Sequence, residues 1–206
     1  MFTDRVDAGR RLAQRVRDVL GPSPERLVLG LPRGGVPVAA EVARALGAPL
    51  DVLAVRKLGA PSHPEVAIGA IGPGGIVLLH ENGTSVDPAT IDGIRRRELA
   101  ELERRERVYR GDRGPLELEG RHVVIVDDGI ATGATARVAV QAARALGAAE
   151  VVVAAPVAAP EARDAVARLA DTVIVLAAPA RFWAVGGWYD DFRQLADADV
   201  TRLLGS

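Results

Sequence analysis

The chain has 206 residues, 49% hydrophobic and 26% charged, with a formal net charge of −1. That size and apolar content suit one domain with a sizeable core, or one domain plus a small appendage, and argue against disorder. The near-zero charge gives no global field toward nucleic acid or an anionic membrane, and the lack of cysteine excludes disulfides, thiolate metal sites and cysteine nucleophiles. The amino terminus, MFTDRVDAGRRLAQRVRDVL, is charged throughout, unlike a signal peptide. The longest apolar runs, VVVAAPVAAP and TVIVLAAPA, contain proline and are too short to span a bilayer, so a cytoplasmic protein is expected. Of the 26 basic residues, Lys57 alone is lysine.

Residues 3–20 read as an amphipathic helix, with Thr3 as a candidate N-cap and Gly21-Pro22 as the stop. RLVLGL (26–31) reads as a buried strand, PRGG (32–35) as a tight turn, and 36–46 as a helix closed by Gly47. PLDVLAVRKL (49–58) reads as a strand and GAPSHPE (59–65) as a loop. Residues 66–72 and 75–80 suggest a hairpin turning at Pro73-Gly74. A charged helix follows over 88–109, then a strand at 123–126 and a helix at 133–146. EVVVAAPV (150–157) is a strand, 160–170 a helix and TVIVLA (172–177) a strand. Apolar strands alternating with helices predict βαβ units: a three-layer α/β fold whose mainly parallel, twisted sheet has helices on both faces. ARALGA ends a helix at both 43–48 and 143–148, one stop signal used twice.

Two segments break the alternation. Residues 81–120 are polar, and Arg97/Glu101, Glu101/Arg105 and Glu103/Arg107 stand at helical spacing, so a solvated helix is expected there in preference to a nucleic-acid face. The other is RFWAVGGWYDDFRQL (181–195), which holds five of the seven aromatic residues. They could form a small core or a surface that stacks a flat ring.

The stretch VVIVDDGIATGATA (123–136) carries the chemistry. Its strand ends in two like charges, Asp127 and Asp128, at the sheet edge where open parallel sheets bind ligands. Gly129 and Gly133 let backbone approach a ligand, Thr132 and Thr135 add hydroxyls, and the following helix offers unpaired N–H groups. A phosphate in the turn and a sugar diol on the carboxylates would satisfy both halves. A Walker A loop is excluded by the absence of lysine here, and the dinucleotide fingerprint is also missing.

VVIVDDGIATGAT resembles the phosphoribosyl-diphosphate (PRPP) signature of type I phosphoribosyltransferases. The resemblance covers most of the chain and implies a core over 1–180, with 81–120 as a polar helical insertion, and a C-terminal hood over 181–206. It implies a 5-phosphate site at Gly129, Ala131, Thr132, Gly133, Ala134 and Thr135. A pyrophosphate site is implied at Arg33, Gly34 and Gly35 in LPRGGVP, with Arg56 and Lys57 before the closing loop. VGGWYDDFRQL is similar to the hood of purine members, which implies base contacts from Phe182, Trp183, Val185, Trp188 and Tyr189 and a magnesium-supporting role for Asp191.

The implied reaction displaces pyrophosphate from PRPP with a nitrogen nucleophile, with Mg2+ as cofactor. Asp127, Asp128 and Lys57 are the implied catalytic groups. Glu65 is the first choice for general base, with His63 and Asp191 as alternatives. Enzymes for 6-oxopurines usually carry an aspartate where this chain has Ala131, so hypoxanthine and guanine are not supported as acceptors, and the base or amine stays open. A homodimer is usual in the family, and neither membrane nor nucleic acid is an expected partner. A different class remains open: a regulator that senses PRPP or nucleotides on the same fold without turnover.

Overall fold

The computed structural model describes residues 1–61, 63, 67–79 and 86–205. Its centre is a five-stranded parallel sheet in the order β2-β1-β6-β7-β8. These strands are β1 (Leu27–Gly30), β2 (Leu50–Val52), β6 (His122–Val126), β7 (Glu150–Val157) and β8 (Thr172–Ala177). A second, antiparallel sheet joins β3 (Arg56–Gly59), β4 (Ala67–Ile71) and β5 (Val77–Leu79).

Strand periodicity explains the layers, because successive side chains point to opposite faces. Val28, Val124, Val126, Val152 and Ala154 pack on one face, against Leu12 and Val16 of α1 (Arg5–Leu20) and Val38 and Val42 of α2 (Gly35–Leu46). Leu29, Val123, Ile125, Val151 and Val153 pack on the other, against Ala139 and Val140 of α4 (Ala134–Ala145) and Val166 of α5 (Pro160–Ala167). Both faces are therefore covered, as the unbroken apolar strands required. The α/β, three-layer expectation holds.

Local expectations hold with adjustments. The α1 cap is Asp4 rather than Thr3: the Asp4 carboxylate accepts the Asp7 N–H at 2.8 Å, while the Thr3 carbonyl accepts Asp191 N–H at 2.9 Å. The run 49–58 is not one strand. Its last parallel pairing is Val52 with Gly30, where β1 ends. With no ladder partner beyond, the chain leaves the sheet and starts the second one at Arg56. The hairpin of β4 and β5 turns through a short 3-10 helix at Pro73–Gly75. An unforeseen α6 (Asp197–Leu204) closes the chain.

The polar helix, α3 (Pro88–Arg110), is more than a solvated rod. Ile94 and Leu102 pack with Leu58, Ile68 and Ile71 of the second sheet, and Tyr109 is buried among Val36, Val52, Val200 and Leu204. Arg110 forks onto buried Asp51 of β2, with Nη2 3.0 Å from Oδ2. Of the three helical pairs expected, Glu101–Arg105 forms at 2.8 Å, whereas Arg97 turns to Glu98 at 3.2 Å. Beyond α3, Leu116 and Leu118 enter the main core. Among the described residues, no helix is long and apolar enough to cross a membrane.

Candidate functional site

The site begins where β6 runs out. Asp127 still belongs to the sheet, its N–H donating to the Ala154 carbonyl at 3.2 Å. The Asp127 carboxylate accepts the Asp128 N–H at 2.9 Å. From there residues 129–136 curl around a cavity of about 140 Å3 that Asp127 also lines. Gly133, in the left-handed region at φ 73°, caps α4, whose first residues line this space. Thr132 Oγ1 accepts the Ala134 N–H at 3.3 Å. The six residues expected at a 5-phosphate therefore line one cradle at a helix N-terminus, an arrangement suited to an anion.

The turn after β1 is pressed against the acidic pair. A Cβ on Gly34 would lie 2.0 Å from Asp128 Oδ2, so only glycine lets this backbone come so close. The Pro32–Arg33 peptide bond is cis. Gly35 lies against the Val126 carbonyl and Asp127, which joins the two turns into one surface. The Arg33 guanidinium leans the other way, with Nη1 3.6 Å from Asp197 on α6.

The electrostatics follow from crowding. Burial, then the neighbouring Asp128 charge, pushes the Asp127 carboxyl well above the usual carboxylate range. Burial also raises Asp128, opposed by the hydrogen bond and charge of Arg5. Arg5 is the partner of Asp128 that the sequence concealed. Its Nε donates to Asp128 Oδ2 at 2.7 Å, its Nη1 donates to the Arg193 carbonyl at 3.0 Å, and its guanidinium carbon sits 3.9 Å above the Phe192 ring centroid. In the sequence it is one arginine among 25, at the start of an amphipathic helix, with no local signal to single it out.

The C-terminal aromatics divide. Tyr189, expected at a base, is instead part of the frame. Its ring packs with Phe2 and Ala8, and its hydroxyl donates to the Asp128 carbonyl at 2.6 Å. Burial and the Asp128 charge raise its pKa. The two chain ends pair here, with Phe2 N–H donating to Trp188 O at 2.8 Å and Asp190 N–H to Phe2 O at 2.9 Å. Val185 packs on Gly129 at the start of the cradle, where a Cβ would lie 2.4 Å from Val185 Cγ1. Phe182 and Trp188 are half-buried, while Trp183 is 92% exposed.

Other expected residues lie apart from the acidic pair. Arg56 is held by Glu98 of α3, with Nη2 at 2.6 Å, and lines the same small concavity as Lys57. Lys57 is exposed, and it lines a small concavity of about 90 Å3 with Ala134 and Thr135 of the cradle helix. Asp191 is exposed and faces its own neighbour Arg193 at 3.4 Å. It lines a separate concavity with Asp4, Arg5, Pro37 and Arg202. His63 is exposed, and Glu65 lies outside the described residues.

An open parallel sheet with an acidic strand end, a glycine–threonine anion cradle and a glycine turn packed against it defines the fold of type I phosphoribosyltransferases. The chain belongs to that family: the phosphoribosyl transferase domain model matches residues 2–188. It is 52% identical over 207 residues to a Mycobacterium tuberculosis protein provisionally named a phosphoribosyl transferase. The match covers 99% of this chain and 46% of that protein, so the chain spans about half the length of the curated relative. The crystal structure of TT1426 from Thermus thermophilus superposes with a TM-score of 0.89 at 44% identity, covering 99% of this chain and 97% of that one. The APRTase of Giardia lamblia, complexed with 9-deazaadenine, shares the fold at a TM-score of 0.50 and 13% identity, over 84% of this chain and 80% of that one.

Proposed function

We propose that the chain transfers the ribose 5-phosphate of PRPP to a nitrogenous base or amine and releases pyrophosphate. The observation that supports this most is the buried strand end at which Asp127, bonded to its neighbour Asp128, lines the glycine–threonine cradle of about 140 Å3. In this reading the cradle takes the 5-phosphate, and Asp127 and Asp128 take the ribose hydroxyls. The Arg33–Gly35 turn takes the diphosphate. Burial raises both carboxyls, and the Asp128 charge adds repulsion at Asp127. Hydroxyl donors would stabilise its charged form and relieve that repulsion. As the C1–O bond breaks, the ribose becomes cationic, and the two carboxylates place negative charge beside it.

Magnesium belongs to this reading as an ion carried by the substrate. Mg2+ favours one or two carboxylates together with substrate phosphates. Asp127 and Asp128 offer that set, and among the described residues no group of three His, Cys, Asp or Glu side chains gathers to hold a metal alone. When bound, the ion would neutralise charge on the diphosphate as it leaves. Asp191 would serve only by moving toward the site, since it faces Arg193.

The acceptor is assigned to the half-buried Phe182 and Trp188 and the exposed Trp183, with Ala131 supplying no acid for a 6-oxopurine. A homodimer in the cytoplasm completes the reading. A nucleic-acid-binding regulator is less well supported, because the arginines of α3 are engaged within the protein: Arg95 with Asp92, and Arg104 and Arg105 with Glu101. The experiment is a melting curve with saturating PRPP and magnesium, followed by pyrophosphate release across a panel of bases and amines. A raised Tm is expected. No shift at saturating PRPP would sink the proposal. Steeply salt-dependent DNA or RNA binding would favour the regulator.

A further inference from the structure

We propose that Arg5 is a positioning residue for ribose capture, fixing the Asp128 carboxylate in the orientation that meets the sugar hydroxyls. This rests on the PRPP reading above. The case starts from an oddity of placement. Arg5 is the first residue of α1, where the helix dipole disfavours a cation. Its side chain is only 11% exposed, so it also loses most of its hydration. Nothing in α1 itself offsets either cost.

The compensation comes from elsewhere. One guanidinium meets Asp128 at 2.7 Å, the Arg193 carbonyl at 3.0 Å and the Phe192 ring at 3.9 Å. Arginine suits such a place, since its planar fork can donate and stack at once, and lysine cannot. The grip on Asp128 is single: Nε donates to Oδ2, whereas a stability pair of the strongest kind would take both oxygens. Gly34 crowds the same Oδ2, since a Cβ there would lie 2.0 Å from it. Oδ2 is thus held by Arg5 and crowded by the glycine turn, and Oδ1, on the carboxylate that also bonds Asp127, would meet the sugar hydroxyl.

A second role for Arg5, as a plug that PRPP must displace, fits the geometry less well. A plug would be loosely held, but Arg5 is anchored by three groups from two parts of the chain. Among the described residues, the charged and titratable groups bonded to Asp128 are Arg5 from α1, Asp127 beside it and Tyr189 from the C-terminal segment, whose hydroxyl holds the Asp128 carbonyl. Arg5 is the sole cation among these, so its loss leaves two carboxylates unopposed.

The test is calorimetric titration of the full chain with three probes: PRPP with magnesium, ribose 5-phosphate and inorganic pyrophosphate. Arg5→Gln is expected to weaken both ribose-containing probes by at least about tenfold while pyrophosphate stays within about twofold, the scale of one charged hydrogen bond. Arg5→Lys keeps the charge and should lie between wild type and Arg5→Gln. Phe192→Leu removes the ring beneath the guanidinium without touching the ion pair, and a smaller loss in the same direction is expected even if Arg5→Gln fails to fold. Wild-type PRPP affinity in these variants, tighter PRPP binding, or equal loss of pyrophosphate would each overturn the proposal. A wild-type protein that binds pyrophosphate but neither ribose probe would overturn the transferase reading itself, and the Arg5 assignment with it.

Discussion

The cradle of residues 123–136 and the cap formed by Phe2–Arg5 with Trp188–Arg193 meet at one residue, Asp128, yet they are built differently. The cradle is a single stretch of chain, and apart from those at Asp128 the hydrogen bonds described for it run to adjacent strands or to itself. The cap joins residues from opposite ends of the chain: Arg5 bonds across 188 positions to Arg193 and across 123 to Asp128. Local chain geometry is enough to shape a hole for an anion, because a strand end, a turn and a helix start are sequential. Orienting a buried carboxylate needs partners from several directions, and only the folded chain supplies them.

This contrast can be broken experimentally. The largest effect is expected from Gly34→Ala, whose new methyl must displace the Asp128 carboxylate. PRPP affinity should fall about a hundredfold, because the glycine turn and the ribose clamp shift together. Near-normal binding in a titration would show that the two turns are not one surface. Asp128→Asn should weaken PRPP by tens of fold while Tm moves little, since an amide oxygen can still accept from Arg5. An unchanged affinity would remove Asp128 from the site.

Tyr189→Phe tests the cap without touching the clamp chemistry. Losing the hydroxyl that bonds the Asp128 carbonyl should cost about 1–2 kcal/mol in denaturant unfolding. No loss would mean that the chain ends are not holding the strand end.

Asp127→Asn should act in the opposite sense on stability. Burial and Asp128 raise the folded-state pKa of Asp127 above its unfolded value. Stability is therefore lost as pH climbs from the unfolded pKa through the folded one, and the penalty is absent below both. The variant should melt a few degrees higher than wild type at neutral pH, and the gain should vanish toward pH 3. A gain independent of pH would refute the assignment of that penalty to Asp127. Trp183→Ala should change stability by no more than about 0.5 kcal/mol, because the ring is 92% exposed. If the ring stacks the acceptor, only acceptor KM should rise.

Much of the fold was legible because it is written with short-range periodicity. The apolar strands at 123–126, 150–157 and 172–177, the helix stop at Gly47 and the turn at Gly133 each depend on neighbours in sequence. The misreadings have a common cause. The run 49–58 looked like one strand because sequence pattern does not show where a ladder partner ends. Helix α3 looked solvated because its buried positions, Ile94, Leu102 and Tyr109, are sparse among charges. The burial of Tyr189 against the Asp128 carbonyl is not legible because residue type does not reveal which way a side chain turns.

The sequence by itself determined the α/β core and the cradle, since a strand, an acidic pair and a glycine–threonine helix start are consecutive and their geometry is local. Tertiary structure alone decided which groups govern Asp128. Arg5, Gly34 and Tyr189 come from three separate parts of the chain, and the burial that brings them together is also what makes their charges and hydrogen bonds matter.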